Sequence, residues 1–81
     1  MATNRPLWIV PAASQPAGHI LKALRDERDL TQSRAAIHFG LSVRAWQNYE
    51  SDARRVPRWL TRYAVEWLNT GVEPITMERP T

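Results

Sequence analysis

The 81-residue sequence contains no cysteine, only three glycines and a single lysine. The absence of cysteine excludes disulfide bonds and thiolate metal sites, and we expect a protein of the reducing cytoplasm. No apolar run approaches the roughly 18 residues that span a membrane, and the apolar residues 7–10 are too few for a signal-peptide core. We therefore expect no membrane partner.

Residues that carry catalysis or hold cofactors are also sparse. His19 and His38 have no second metal ligand nearby in the sequence, and we interpret Glu66 and Glu73 as solvated charges rather than a catalytic pair. There is no glycine-rich phosphate loop and no Ser or Cys nucleophile motif. We predict that the protein is not an enzyme and has no cofactor, metal or small-molecule substrate.

The charge of the chain is positive and unevenly distributed. The formal net charge is +3, and residues 31–62 hold six arginines against Glu50 and Asp52, a local net of +4. Residues 63–81 hold Arg79 against three glutamates, a net of −2. A basic half suits a polyanionic partner, and arginine suits planar contacts with phosphate and guanine, although codon usage in a GC-rich genome would also favour arginine.

Apolar spacing and turn residues predict an all-α chain of four short helices. We place these helices at about residues 16–28, 32–38, 43–50 and 58–69. Prolines 6, 11 and 16 argue against a helix before them. The predicted organisation is an extended N-terminal arm at residues 1–16, a compact helical domain at residues 17–70 and a C-terminal tail at residues 71–81.

The central stretch, residues 31–50, has the spacing of a helix-turn-helix. Thr31 and Ser42 can each cap a following helix, and Gly40 can take the left-handed conformation between them. A helical hairpin without a DNA role would need the same features. Arg44 and Asn48 favour DNA, because they fall on the outer face of the second helix and suit guanine and adenine edges.

The last predicted helix is apolar over a wide arc. Trp59, Tyr63 and Trp67 recur at every fourth residue, and a second row runs beside them. We expect that one small domain cannot bury both rows, so the helix should have a second partner. This predicts a homodimer interface at Tyr63, Trp67 and Leu68. Residues 7–10 could be a cover for the core or an arm that contacts the dimer partner, and we treat them as an auxiliary contact.

From residue 20 onward, the chain resembles the Cro/cI-type (XRE) helix-turn-helix regulators of bacteria and phages. The resemblance covers about residues 17–69 and implies a helical domain that binds operator DNA as a dimer. Its short form also resembles the anti-CRISPR-associated autorepressors of phages. The residues that carry the family resemblance are Leu24, Arg25, Leu30, Thr31, Gln32, Ala36, Gly40, Leu41, Ser42, Tyr49, Glu50 and Pro57.

The resemblance implies a role for individual residues. An arginine of the first helix pairs with the glutamate that closes the recognition helix, here Arg25 and Glu50. Trp46 departs from the family, which has an aliphatic residue there, and family members often have a fifth helix. The residues implied to read bases are Val43, Arg44 and Asn48, and those implied to contact the DNA backbone are Gln32, Ser42, Gln47, Arg54, Arg55 and Arg58.

Two functions remain open from the sequence. The first is a dimeric repressor or autorepressor that binds an inverted repeat in double-stranded DNA through residues 43–50. The alternative is a protein-interaction module, such as an antitoxin-like partner or a phage inhibitor of a host protein, that uses its aromatic last helix. The basic half favours the first function, whereas an exposed aromatic stripe would favour the second.

Overall fold

The computed structural model of the chain describes residues 7–74. These residues contain four α-helices. The outer parts of the two predicted arms, residues 1–6 and 75–81, lie outside the described residues. No strand occurs between residues 7 and 74, so the all-α class is confirmed. The helices are α1 (Gly18–Glu27), α2 (Gln32–His38), α3 (Val43–Glu50) and α4 (Arg58–Thr70).

Local capping defines the two central helices, which have their predicted bounds. The Thr31 hydroxyl accepts a hydrogen bond from the backbone N–H three residues later (3.1 Å), and the Ser42 hydroxyl does the same (3.0 Å). Each bond satisfies one of the free donors in a first helical turn. Gly40 (φ 69°) makes the predicted left-handed turn, and Asp29 (φ 55°) does so after α1.

Helix α1 begins at Gly18, two residues later than the predicted start at Pro16. The cap of this helix comes from a distant part of the chain. Asp52 Oδ1 accepts hydrogen bonds from the backbone N–H groups of Ala17 (3.2 Å) and Gly18 (2.9 Å). Asp52 itself has a left-handed backbone (φ 62°), which turns the chain after α3 and brings the carboxylate to α1. The start of α1 is therefore set by tertiary contacts.

Aromatic rings form the centre of the core. Phe39 and Trp46 stack with their ring centroids 5.5 Å apart, and Tyr63 meets the Phe39 ring edge-on at 5.4 Å. Trp46, which is larger than the aliphatic residue expected there, is fully buried. The aliphatic side chains that complete the most deeply buried set are Ile20, Leu21, Leu24, Leu60 and Leu68.

The prediction that one domain cannot bury both rows of α4 is wrong. Leu60 and Leu68 are almost inaccessible, and Tyr63 and Trp67 are only 6% and 7% exposed. The reason is that α4 is covered from several directions. Helix α1 packs against it, and the end of α2 lies against Trp67, whose ring centroid is 5.5 Å from that of His38.

Candidate nucleic-acid interface

Helix α3 has one buried face and one open face. It packs against α1 and α2. Trp46 at its centre is 0% exposed. Because Trp46 fills the core, the side chains on the opposite side of this two-turn helix must point away from the core. The open face is the one for which the sequence predicts DNA contact.

The three predicted base-reading residues lie along α3 with different exposure. Arg44 is exposed, Val43 is 36% exposed, and Asn48 is half-buried. Gln47, which is predicted to contact the DNA backbone, is also exposed on this helix. The outer face thus presents a guanidinium, two side-chain amides and a small apolar group, which can form hydrogen bonds and apolar contacts in a major groove.

A bidentate ion pair joins α1 to the end of α3. Arg25 Nε donates to Glu50 Oε2 and Arg25 Nη2 donates to Glu50 Oε1, both at 2.9 Å. The Arg25 side chain is 17% exposed and that of Glu50 only 7%. Arg25 Nη1 also donates to the Leu30 carbonyl (3.1 Å), and the indole N–H of Trp46 donates to Glu50 Oε2. The carboxylate is therefore held from two helices.

The environment of this pair stabilises its charged form. Burial by itself would raise the pKa of Glu50, but hydrogen bonds from Arg25, Trp46 and Gln32 outweigh it and lower the pKa below the usual value. The hydrogen bond to Glu50 raises the pKa of Arg25, against the opposing effect of burial. Both groups are therefore ionised at neutral pH, and they hold α3 at a defined position against α1.

Gln32 connects the ion pair to the open face of α3. Its side-chain N–H donates to Glu50 Oε1 (3.4 Å), and its carbonyl oxygen accepts from Gln47 Nε2 (3.3 Å). Gln32 is the first residue of α2, and its side chain is half-buried. This arrangement orients Gln47 at the surface. Ser42 is also predicted to contact the DNA backbone. Its hydroxyl accepts the capping hydrogen bond from the backbone N–H of Ala45.

The remaining predicted phosphate contacts lie beyond the end of α3. Arg54 and Arg55 are exposed in the loop that follows α3, and the backbone N–H of Arg54 donates to the Asn48 carbonyl (3.1 Å). Arg58 is exposed at the start of α4. Arg55 and Arg58 border a groove of about 590 Å³ between the N-terminal arm and this loop. Among residues 7–74, no hydrogen bond joins the side chains of these arginines to the network of Arg25, Gln32, Gln47 and Glu50.

The predicted dimer residues do not form an exposed surface. Tyr63, Trp67 and Leu68 are 6%, 7% and 2% exposed within a single chain. The Tyr63 hydroxyl donates to Glu73 Oε2, and Arg28 Cζ stands 5.1 Å from the centroid of the Trp67 ring. These contacts remove the surface on which the interface prediction relied.

The Glu73 side chain is 40% exposed and is also hydrogen-bonded. It accepts from Tyr63 and lies 2.7 Å from His38 Nε2. The hydrogen bond from Tyr63 is the main cause of a lowered pKa at Glu73, partly opposed by burial and assisted by His38. Burial, together with this bond, raises the pKa of Tyr63 well above its usual value. His38 does lie in the last turn of α2, as the sequence indicates.

Two residues that position α3 are missed by the sequence reasoning. Gly18 packs so closely on the end of α3 that a Cβ atom there would meet the Tyr49 carbonyl oxygen at 2.6 Å and the Glu50 carbonyl oxygen still more closely. Asp52 caps α1 from the loop after α3. The partners of Gly18 and Asp52 are more than 30 residues away in sequence, so no local pattern reveals either contact. The only local signal is the position of Asp52 just after the end of a helix.

Comparison with known proteins agrees with this geometry. A family model described as a helix-turn-helix domain matches residues 17–75, and the chain belongs to this family, which is of the XRE-like type. No curated protein and no solved structure matches the chain. Family membership indicates a DNA-binding regulator, and domains of this family are typically not enzymes. Within residues 7–74, no helix has the length and apolar character to cross a membrane.

Proposed function

We propose that the protein is a sequence-specific transcriptional repressor that binds an inverted repeat as a homodimer and represses its own gene. The single observation that carries the proposal is the open face of α3, with Arg44, Gln47 and Asn48, held on the core by the Arg25–Glu50 pair. A surface that must enter a groove needs both exposed polar side chains and a fixed backbone. This helix has both.

Base recognition is assigned to Val43, Arg44 and Asn48. Arginine can bind guanine O6 and N7 in a bidentate manner, and asparagine can do the same with adenine N6 and N7. Val43 can contact a thymine methyl group. Arg44 is exposed, whereas Asn48 is half-buried, so Arg44 is the stronger candidate for a contact deep in the groove.

Contacts with the DNA backbone are assigned to residues before α3, on its outer face and after it. Gln32, Ser42 and Gln47 lie at the start of α2, at the start of α3 and on its outer face. Such contacts set the orientation on the duplex but carry no sequence information. The salt-sensitive part of the affinity would come from the loop arginines that follow α3 and from the first residue of α4, namely Arg54, Arg55 and Arg58.

Repression would arise from occlusion of the promoter. Two copies related by a two-fold axis place their recognition helices about 34 Å apart, which is one turn of DNA. A bound dimer would then cover a promoter and exclude the polymerase. An inverted repeat that overlaps the promoter of the protein's own gene would support autorepression. A neighbouring gene for a phage-encoded inhibitor of CRISPR would support the resemblance to the anti-CRISPR-associated repressors.

The alternative, a protein-interaction module that uses α4, has less support. It needs an exposed aromatic stripe, and Tyr63 and Trp67 are buried in the single chain. The basic loop after α3 would have no role in such a module. We therefore retain DNA binding as the proposal.

Arginine variants test the proposal after a preferred duplex has been selected from random DNA. Arg44→Ala should lose about 1–3 kcal/mol of discrimination at one base pair. Arg55→Ala should weaken binding to selected and random duplexes alike, and lower the slope of log affinity against log salt by about one unit. Arg62→Ala, an exposed arginine on α4, is the matched control and should change neither quantity. An equal loss on every duplex for Arg44→Ala would make Arg44 a phosphate contact.

A further inference from the structure

The described N-terminal arm contains a short extended segment, residues 7–10, that is fastened to the end of α4. The backbone N–H of Trp8 donates to Asn69 Oδ1 (2.7 Å), and Asn69 Nδ2 donates to the carbonyl of Trp8 (2.9 Å). A single side-chain amide thus occupies both backbone groups of Trp8. Because both groups point to the same side, the backbone of Trp8 is oriented as in an extended strand, although no strand partner pairs with it among residues 7–74.

The side chains of this segment alternate between the core and solvent. Trp8 and Val10 are partly buried and pack against the core, whereas Leu7 and Ile9 are 76% and 75% exposed. This period of two is that of a strand with one covered face. The segment therefore presents two large apolar side chains outward at neighbouring positions on the same face.

The backbone edge of the segment that faces away from Asn69 has no partner within residues 7–74. In a strand, the N–H and C=O groups of successive residues point to opposite edges, so those of Leu7 and Ile9 point away from Asn69. Among the described residues, none forms a hydrogen bond with the backbone of Leu7 or Ile9. An open edge with apolar side chains is a template for pairing with another extended segment.

The charge distribution indicates that the occupant is a second copy. Residues 6–18 contain no charged side chain, although the chain carries a net charge of +3. A contact between copies at residues of like charge would be repulsive, whereas this segment brings no charge to such a contact. A partner of opposite charge would find no complementary group here, whereas an identical uncharged apolar strand matches the segment.

We propose that residues 7–10 of two copies pair as antiparallel strands across a two-fold axis, and that this pairing forms the dimer contact. With Trp8 at the centre, Leu7 of each copy lies opposite Ile9 of the other, and each such pair exchanges both backbone hydrogen bonds. Pro11 lacks an N–H and ends the ladder. The inference rests on the proposed function for its two-fold symmetry, and it replaces the contact predicted on α4.

The proposed contact is small, so its strength depends on DNA. A ladder of this length buries far less than the roughly 1,200–2,000 Å² of a stable interface. The free chain would therefore be in a monomer–dimer equilibrium, and two half-sites on one duplex would raise the effective concentration of the arms. Experiments must accordingly measure the assembly both in free solution and on DNA.

The first test compares two exposed apolar residues. Ile9→Lys places a charge on the proposed interface, and Val72→Lys places the same charge at a residue that is 69% exposed after α4. Sedimentation and cooperative binding to an inverted-repeat duplex should show a loss of dimer for Ile9→Lys alone. If Ile9→Lys assembles as the unmodified chain does, or if the unmodified chain is monomeric both free and on DNA, the inference is overturned.

The second test uses the absence of cysteine to determine the register. A mixture of the Leu7→Cys and Ile9→Cys variants should form a disulfide-linked heterodimer on the duplex, in preference to links between identical chains. Val72→Cys is the control and should not cross-link. Equal cross-linking in every combination would overturn the proposed pairing. If no duplex is preferred over random DNA, the proposed function fails, and cross-linking of the free chain still decides whether the arms pair.

Discussion

Replacement of Glu50 by Gln should destabilise the protein strongly, because it removes the charge that Arg25 needs. The variant keeps the shape of the side chain, but its single amide oxygen replaces only one of the two carboxylate oxygens, which accept separately from Gln32 (Oε1) and Trp46 (Oε2). The Arg25 guanidinium, with a side chain only 17% exposed, would lose its counter-charge and one of its two acceptors on residue 50, and would keep the Leu30 carbonyl and at most one neutral amide oxygen. A buried charge without a counter-charge is the main cost of such a change.

The size of the effect follows from burial. Removing one partner of a buried pair costs about 3–5 kcal/mol. The partial exposure of Arg25 allows some solvation, so we expect a value of about 3 kcal/mol, at the low end of that range. A chain of this length has a total stability of about 4–12 kcal/mol. The expected fall in Tm is about 12–24 °C, since 1 kcal/mol corresponds to about 4–8 °C in a domain of this size.

Thermal denaturation followed by circular dichroism at one fixed protein concentration measures this change. The matched control is Asp26→Asn, which breaks the exposed Lys22–Asp26 pair on the same helix. Its side chains are 61% and 58% exposed, so the loss should be below about 1 kcal/mol. A Glu50→Gln variant that melts within a degree or two of the unmodified chain would refute the view that this pair fixes α3.

Three further predictions concern the same junction of α1 and α3. Gly18→Ala should cost about 1–3 kcal/mol in denaturant unfolding, because its Cβ would overlap the Tyr49 carbonyl. Asp52→Ala should destabilise more than Asp52→Gly, since both lose the cap but only glycine relieves the left-handed backbone. Stability should fall as pH drops below about 4.3, where unfolded glutamate protonates, and Glu50→Gln should flatten this fall. A steeper fall in that variant would contradict the assignment.

The sign of the pH effect follows from the direction of the Glu50 shift. The pKa of Glu50 is lower in the folded chain than in the unfolded chain. The unfolded chain therefore binds a proton first as pH decreases, and the folded state loses stability until Glu50 itself is protonated. Above that range the stabilisation is fully present. Glu73 has a lowered pKa as well, so Glu50→Gln should reduce the acid sensitivity without abolishing it.

The central helix-turn-helix could be predicted from sequence because its determinants are local. The Thr31 and Ser42 hydroxyls cap helices through bonds to the third residue after each of them, and Gly40 makes the turn with its own backbone freedom. Interactions of this range depend on neighbouring residues alone. The bounds of α2 and α3 and the outer position of Arg44 on α3 therefore follow directly from the sequence pattern.

The pairing of Arg25 with Glu50 has a different origin. These residues are 25 positions apart, and no local rule connects them. The resemblance to a known family implied the pair, and the structure gives its geometry. The part played by Trp46 was not foreseen, because an indole N–H one turn before a glutamate contacts it only when both side chains are oriented by the surrounding core.

Only the tertiary structure decided which apolar surfaces remain open. The two apolar rows of α4 are together too wide for one neighbouring helix to cover, and the sequence could not show that several elements would cover them together. Residues 7–10, by contrast, are fastened through Asn69, 61 positions from Trp8, with Leu7 and Ile9 facing solvent. The sequence by itself determined the two central helices and the outward-facing residues of α3, because the signals for them are local. Burial depends on contacts between distant segments, so the exposed surface emerged only from the folded chain.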